Sequence, residues 1–322
     1  NVRGLTFIPV RTAPGRAEDL ARFSFVRVAR GMPSLRPLRP SVLRVAPAAD
    51  VKLPTDGPFD ASFRAVVFDG GIPRAVRSRL APWVSLIEPS GIGAAVPEYE
   101  AHGLAVTSAV LFGPLDGGDI VRRPICAIDH VRVLDVATNS SDLEYHDVLD
   151  RILGFLDSNG GRHEFVNISL GPNLAVDDDD VTAWTASLDE RLAHGRAVAT
   201  VAVGNDGLMD PSSGLNRVQP PADAVNVLAV GSADSRGSTW GRSDYSCVGP
   251  GRNPGIVKPD GVMFGGSDAE LFIIMGPSGK AEGIKGTSFA APFALRSAAS
   301  VRAQLGAKLT PLVIRALLIH RA

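Results

Sequence analysis

The chain has 322 residues, a formal charge of −1 at pH 7, 45% hydrophobic and 21% charged residues, and two cysteines. That composition builds one or two packed domains and excludes collagen-like, disordered and disulfide-stapled classes. No run reaches the roughly 18–20 apolar residues of a membrane-spanning helix, and the start lacks the charged-then-apolar pattern of a signal peptide. The first residue is Asn1, not Met, so the sequence reads as a stretch of a longer chain. The paucity of cysteines favours a cytoplasmic setting, with secretion left open by the missing native start.

Residues 1–58 form a flank unlike the rest. They hold ten basic and four acidic residues, a charge of +6, so the remainder carries −7, and they hold eight of the 24 prolines. Phe23-Ser24-Phe25-Val26-Arg27-Val28 alternates as one strand would. The arginines are separated by prolines and aliphatics, without a helical face or an aromatic platform, so docking onto the acidic remainder is preferred to nucleic-acid binding.

From residue 59 to 322 short aliphatic runs alternate with helical periodicity. Ala65–Phe68, Ala127–Leu134, Phe165–Leu170, Ala197–Val203 and Val225–Val230 are runs of strand length bounded by Gly, Asp or Asn, which suits strands buried on both faces. Asp142–Asp157 and Val181–His194 carry apolar residues at helical spacing. Strand, helix, strand, helix implies an α/β fold with a mostly parallel sheet between helix layers. Asp177–Asp180 reads as a solvated loop or helix start, with a calcium site as the open alternative.

Parallel sheets carry chemistry at the carboxyl ends of their strands, and three segments stand out there. The strand Ala65–Phe68 runs into Asp69-Gly70-Gly71, a carboxylate followed by residues that permit a sharp turn and close approach. His102-Gly103 precedes Leu104–Phe112, apolar nearly all round as a buried helix would be, whereas His130, His146, His163, His194 and His320 lack such a setting. Gly286-Thr287-Ser288-Phe289-Ala290-Ala291-Pro292 opens a helix that extends to about Leu305. With a start near Ser288, Pro292 falls in the first turn, and Ser288 sits where backbone N–H groups point outward and negative charge is favoured.

Asp69-Gly70, His102-Gly103 and Gly286–Pro292, in that chain order, resemble the catalytic motifs of the subtilisin-like serine peptidases. Ile168-Ser169-Leu170-Gly171 resembles the family's substrate-binding strand. Ala202-Val203-Gly204-Asn205 resembles its second pocket wall, ending in the oxyanion asparagine. Asp244–Pro250 and Lys258-Pro259-Asp260 resemble two further landmarks.

The resemblance covers about residues 60–322 and implies a subtilisin-like three-layer fold, with the basic flank as a small added module. It implies a serine endopeptidase in which Ser288 is the nucleophile, His102 the general base, Asp69 its orienting carboxylate and Asn205 an oxyanion donor. Ser169, Leu170, Gly171, Ala202, Val203 and Gly204 would bind substrate. The implied partner is an extended polypeptide substrate, with a regulatory subunit left open and neither nucleic acid nor membrane expected. No cofactor or metal is required, and no specific motif supports a structural calcium.

Leu104 stands where the family commonly has a threonine, and on that departure, together with a basic flank able to cover the cleft, rests the alternative of a catalytically silent binding or regulatory module. Other site motifs fail. Gly91-Ile92-Gly93 lacks the third glycine of a dinucleotide loop, Gly279-Lys280 lacks the rest of a phosphate loop, and no Gly-x-Ser-x-Gly surrounds Ser288.

Overall fold

The computed structural model describes the chain apart from residues 14, 37–48, 117–120, 141–143, 160, 255 and 321–322. A short helix, α1 (Ala17–Ala21), lies in the flank. The body then runs β1 (Arg64–Asp69), α2 (Arg74–Leu80), β2 (Val84–Ile87), α3 (Pro97–Phe112), β3 (Ala127–Arg132), α4 (Glu144–Ser158), β4 (Phe165–Ile168), α5 (Ala183–Leu192), β5 (Val198–Ala202) and β6 (Leu228–Ala233). It ends in β7 (Gly261–Phe264), β8 (Phe272–Met275), β9 (Ala281–Ile284), α6 (Thr287–Leu305) and α7 (Pro311–His320).

Seven strands form one sheet in the order β2-β3-β1-β4-β5-β6-β7, every pair parallel, and β8 and β9 form a separate antiparallel hairpin. The sheet is a middle layer. Alternate residues of β1 point to opposite faces. Ala65 and Val67 join a core with α3 and α6 residues such as Leu104, Val106, Ala290 and Leu295. Val66 and Phe68 join a second core with Val148 and Ile152 of α4 and Trp184 and Leu188 of α5. Because both faces are covered, the inner strands are buried almost throughout and largely apolar, with Asp129, His130 and Arg132 of β3 as buried exceptions, and the parallel α/β expectation stands.

The helix expected over Asp142–Asp157 is α4; its first positions lie outside the described residues. The alternating segment Phe23–Val28 is not a strand. It turns locally, with the Val26 N–H donating to the Phe23 carbonyl at 2.9 Å, and the Phe25 side chain is 82% exposed. Alternation makes a strand only where a neighbour supplies the ladder, and among the described residues none pairs with it. The flank instead meets the body through charge. Arg30 pairs with Asp177 and Asp180, and Arg27 pairs with Asp180. The four-aspartate run is thus met by arginines, Arg217 on Asp178 included.

Two close approaches explain glycines beside the candidate site. A Cβ at Gly103 would overlap the Gly71 carbonyl oxygen, and one at Gly70 would overlap the Tyr99 carbonyl. The first turns of α3 and the end of β1 touch through backbone.

Candidate active site

Three strand ends and two helix starts converge. Asp69 is the last residue of β1, Ser169–Gly171 follow β4, Asn205 follows β5, His102 lies in the first turns of α3, and Ser288 is the second residue of α6. Asp69 is fully buried and His102 is 3% exposed. His102 Nδ1 lies 2.8 Å from Asp69 Oδ1 and 3.0 Å from Oδ2, and the Gly70 N–H donates to Oδ1 at 2.7 Å. A carboxylate only accepts, so Nδ1 carries the proton and Nε2 is left as the ring's basic nitrogen.

Ser288 retains 9% exposure. Its hydroxyl donates to the Ser169 carbonyl at 3.3 Å, and among the described residues no hydrogen bond joins it to His102. The structure therefore brings Asp69 and His102 into direct contact, and Ser288 into contact with the expected substrate strand. α6 begins at Thr287, so Pro292 lies in its second turn and not the first. There a proline removes the N–H that would bond four residues back. The freed acceptor is the Ser288 carbonyl, and it receives the Ser169 hydroxyl at 3.0 Å. Asn167 Nδ2 donates to that hydroxyl oxygen, and Thr200 donates to Asn167 Oδ1, so a buried polar chain fixes the floor below Ser288.

Asn205 Oδ1 accepts from both the Thr287 N–H and its hydroxyl at 2.9 Å. Two donors on one atom identify it as the oxygen, so Nδ2 is the donor end, on the side of Gly286. Ser288 N–H belongs to the first turn of α6, where amides have no intrahelical acceptor.

Sequence reasoning passed over His130. It lies in β3, fully buried, with Nδ1 2.8 Å from the Thr107 hydroxyl and Nε2 accepting the Gly71 N–H at 3.0 Å. It thereby ties the turn after Asp69 to α3. No motif marks it, because its role depends on β1 and β3 being neighbours. Burial pulls its pKa down to about 4, against the attraction of Asp69 and with added repulsion from His102 and Arg77. A base held neutral in the fold takes up its proton on unfolding between about pH 6.5 and 4, so stability is full above that window and falls as pH drops through it. Replacing His130 by Gln should shrink the loss of unfolding free energy between pH 7 and pH 5 by about 2 kcal/mol. Urea titrations at the two pH values measure this, and equal losses in both proteins would refute it.

The flank also reaches the site. Arg36 N–H donates to the Gly171 carbonyl at 2.9 Å, and Asn173 N–H donates to the Ser34 carbonyl at 2.8 Å, an antiparallel bridge centred on Leu35 and Pro172. The Arg36 side chain, 9% exposed, enters between Gly171 and Ala202, and its Nη1 donates to the Ala202 carbonyl at 3.2 Å.

The sequence model of the subtilase family matches residues 82–322. The match begins after β1, so Asp69 lies outside it. Among solved structures, the self-cleaved protease domain of PatA is 20% identical with a TM-score of 0.56, covering 82% of this chain and 89% of that one. The epidermin leader peptide processing serine protease EpiP from Staphylococcus aureus is 18% identical with a TM-score of 0.56, covering 81% and 70%. A cold-adapted subtilisin-like serine proteinase is 19% identical with a TM-score of 0.51, covering 86% and 89%. At these identities the likeness is one of fold. No curated protein sequence matches the chain.

Proposed function

The chain belongs to the subtilase family, and from that premise we propose that it is a serine endopeptidase that cleaves extended polypeptide segments through Asp69, His102 and Ser288. The observation that carries the reading is the buried Asp69–His102 pair, whose geometry leaves Nε2 basic at the strand ends where Ser288 begins α6.

The Ser288 hydroxyl leaves the Ser169 carbonyl for His102 Nε2, gives up its proton there, and Oγ attacks the substrate carbonyl carbon. The resulting oxyanion takes hydrogen bonds from Asn205 Nδ2 and the Ser288 N–H. His102 then protonates the leaving amine, the C–N bond breaks, and a water activated by the same imidazole hydrolyses the acyl-enzyme. Asp69 holds the imidazole tautomer and stabilises its cation. Ser169–Gly171 offer the backbone edge on which a substrate adds as a strand, an edge that already accepts Ser34–Arg36 from this chain. The silent-module alternative rested on Leu104, which is wholly buried in the α3 core, and on a flank covering the cleft, where Arg36 does lie against Gly171 and Ala202.

A fluorophosphonate probe should label the folded chain, or its Arg36→Ala variant, and Ser288→Ala should abolish labelling. Failure of both folded proteins to react would overturn the assignment.

A further inference from the structure

The site that Arg36 enters is built for more than filling space. Its walls are the backbone of Gly171 on one side and of Ala202–Gly204 on the other. A Cβ at Gly171 would lie 2.5 Å from the Pro220 carbonyl oxygen and 2.6 Å from Arg36 Nη2, so glycine there admits both the neighbouring backbone and the guanidinium. Beyond it, Gln219 Nε2 donates to Asp206 Oδ2 at 2.7 Å and to the Leu215 carbonyl at 3.0 Å. Those two acceptors fix the amide, so Oε1 faces Gly204, whose added Cβ would sit 2.8 Å from it. Among the described residues, Gln219 Oε1 is a buried acceptor without a partner, and Arg36 Nε and Nη2 are buried donors without one. The Ala202 carbonyl is already engaged; burial pulls the Arg36 guanidinium down to about 10, and the Asp206 carboxylate offsets part of that loss. The neighbouring Cys247 thiol, pushed up to about 11 chiefly by burial, stays protonated at neutral pH and supplies no charge.

An acceptor set made of a backbone carbonyl, an oriented amide oxygen and a nearby carboxylate matches a planar fork of N–H donors. It suits the single ammonium of lysine less well and an apolar side chain least. Arg36 is tethered to the flank and uses one of the side-chain hydrogen bonds on offer. Its backbone meanwhile occupies the Gly171 carbonyl, which an added substrate strand would need. The other anchors of this segment include Leu35, buried in the second core with its N–H donating to Asn139 Oδ1 at 2.8 Å, and partly exposed ion pairs, worth little each and weakened by salt.

Building on the endopeptidase reading, we propose that the pocket between Ser169–Gly171 and Ala202–Gly204 recognises arginine side chains of peptide substrates, and that Ser34–Arg36 fills it in cis until a substrate strand displaces it.

The test is binding in a Ser288→Ala background, so that its outcome does not depend on turnover and is separable from the labelling experiment above. The probe is fluorescein-labelled Pro-Ser-Leu-Arg-amide, read by fluorescence anisotropy, with lysine and norleucine analogues as comparisons. Ser288→Ala/Arg36→Ala should bind the arginine peptide about tenfold more tightly than the norleucine peptide, with lysine between them. The same peptide should bind about tenfold more weakly when Arg36 is retained. Gln219→Leu should remove most of the preference for arginine. If Arg36→Ala fails to fold, Arg36→Met keeps the apolar stem and tests the same point. Equal affinity for arginine and norleucine peptides, equal affinity with and without Arg36, or no binding to the emptied pocket would each overturn the proposal.

Discussion

Replacing Asp69 by Asn is expected to lower kcat about 10⁴-fold, close to 5 kcal/mol of transition-state stabilisation, with little change in KM. Asn is nearly isosteric, so the Gly70 N–H still finds an oxygen acceptor and the end of β1 keeps its place. What changes is the atom facing His102 Nδ1. An amide NH₂ there donates, which obliges Nδ1 to accept and places the imidazole proton on Nε2. The ring then presents a donor to Ser288 and cannot take its proton. With His102 and Asp69 both buried, solvent is poorly placed to correct the tautomer. Steady-state kinetics on an internally quenched peptide measures the effect, with circular dichroism as the control for folding. A loss smaller than tenfold in a folded variant would mean that Asp69 is structural and the reading of the triad is wrong.

Replacing Asn205 by Leu is expected to lower kcat by about 10²–10³, or about 3–4 kcal/mol, again with KM nearly unchanged, because an oxyanion donor acts on charge that exists only in the transition state. The substitution also deprives the Thr287 N–H and hydroxyl of their shared acceptor at the start of α6. Two further variants separate these effects. Thr287→Val removes one of the two hydrogen bonds to Oδ1 and keeps Nδ2, so its effect should stay near 1 kcal/mol. Asn205→Asp keeps an acceptor for Thr287 but replaces the donor with negative charge, and should be at least as damaging as Leu. Retained activity in Asn205→Asp would remove Asn205 from the oxyanion role and leave it as an anchor for α6.

Much of the architecture is legible in the chain because it depends on period and composition. β1, β4, β5 and β6 are largely apolar runs, since helices cover both faces of the sheet, and β3 is buried throughout although it carries Asp129, His130 and Arg132. β2 and β7 escape such reading. They lie at the two edges of the sheet and mix half-buried with exposed positions, so no continuous apolar run announces them. Phe23–Val28 shows the opposite error, where alternation exists without a neighbouring strand. The glycines of Asp69-Gly70-Gly71 and His102-Gly103 are legible as sites of close approach, and Gly70 and Gly103 meet backbone from the facing element.

Asp69, His102, Ser288 and Asn205 stand out in the sequence because each sits in a local pattern that chemistry requires: a carboxylate before glycines, a histidine opening a buried helix, a serine at a helix start, an asparagine ending a strand. His130, Gln219 and Arg36 sit in no such pattern. His130 matters because β3 lies beside β1. Gln219 matters because Asp206 and Leu215 orient its amide. Arg36 matters because the flank pairs with the segment that follows β4, more than 130 residues along the chain. Local propensity, burial period and turn chemistry are properties of neighbouring residues, and from them the sequence by itself determined the α/β layering, while the candidate nucleophile, base and carboxylate came from motifs that resemble those of a known family. Which buried donors meet which acceptors, and what lies in the pocket, depends on segments that only the folded chain brings together, so the tertiary structure alone decided them.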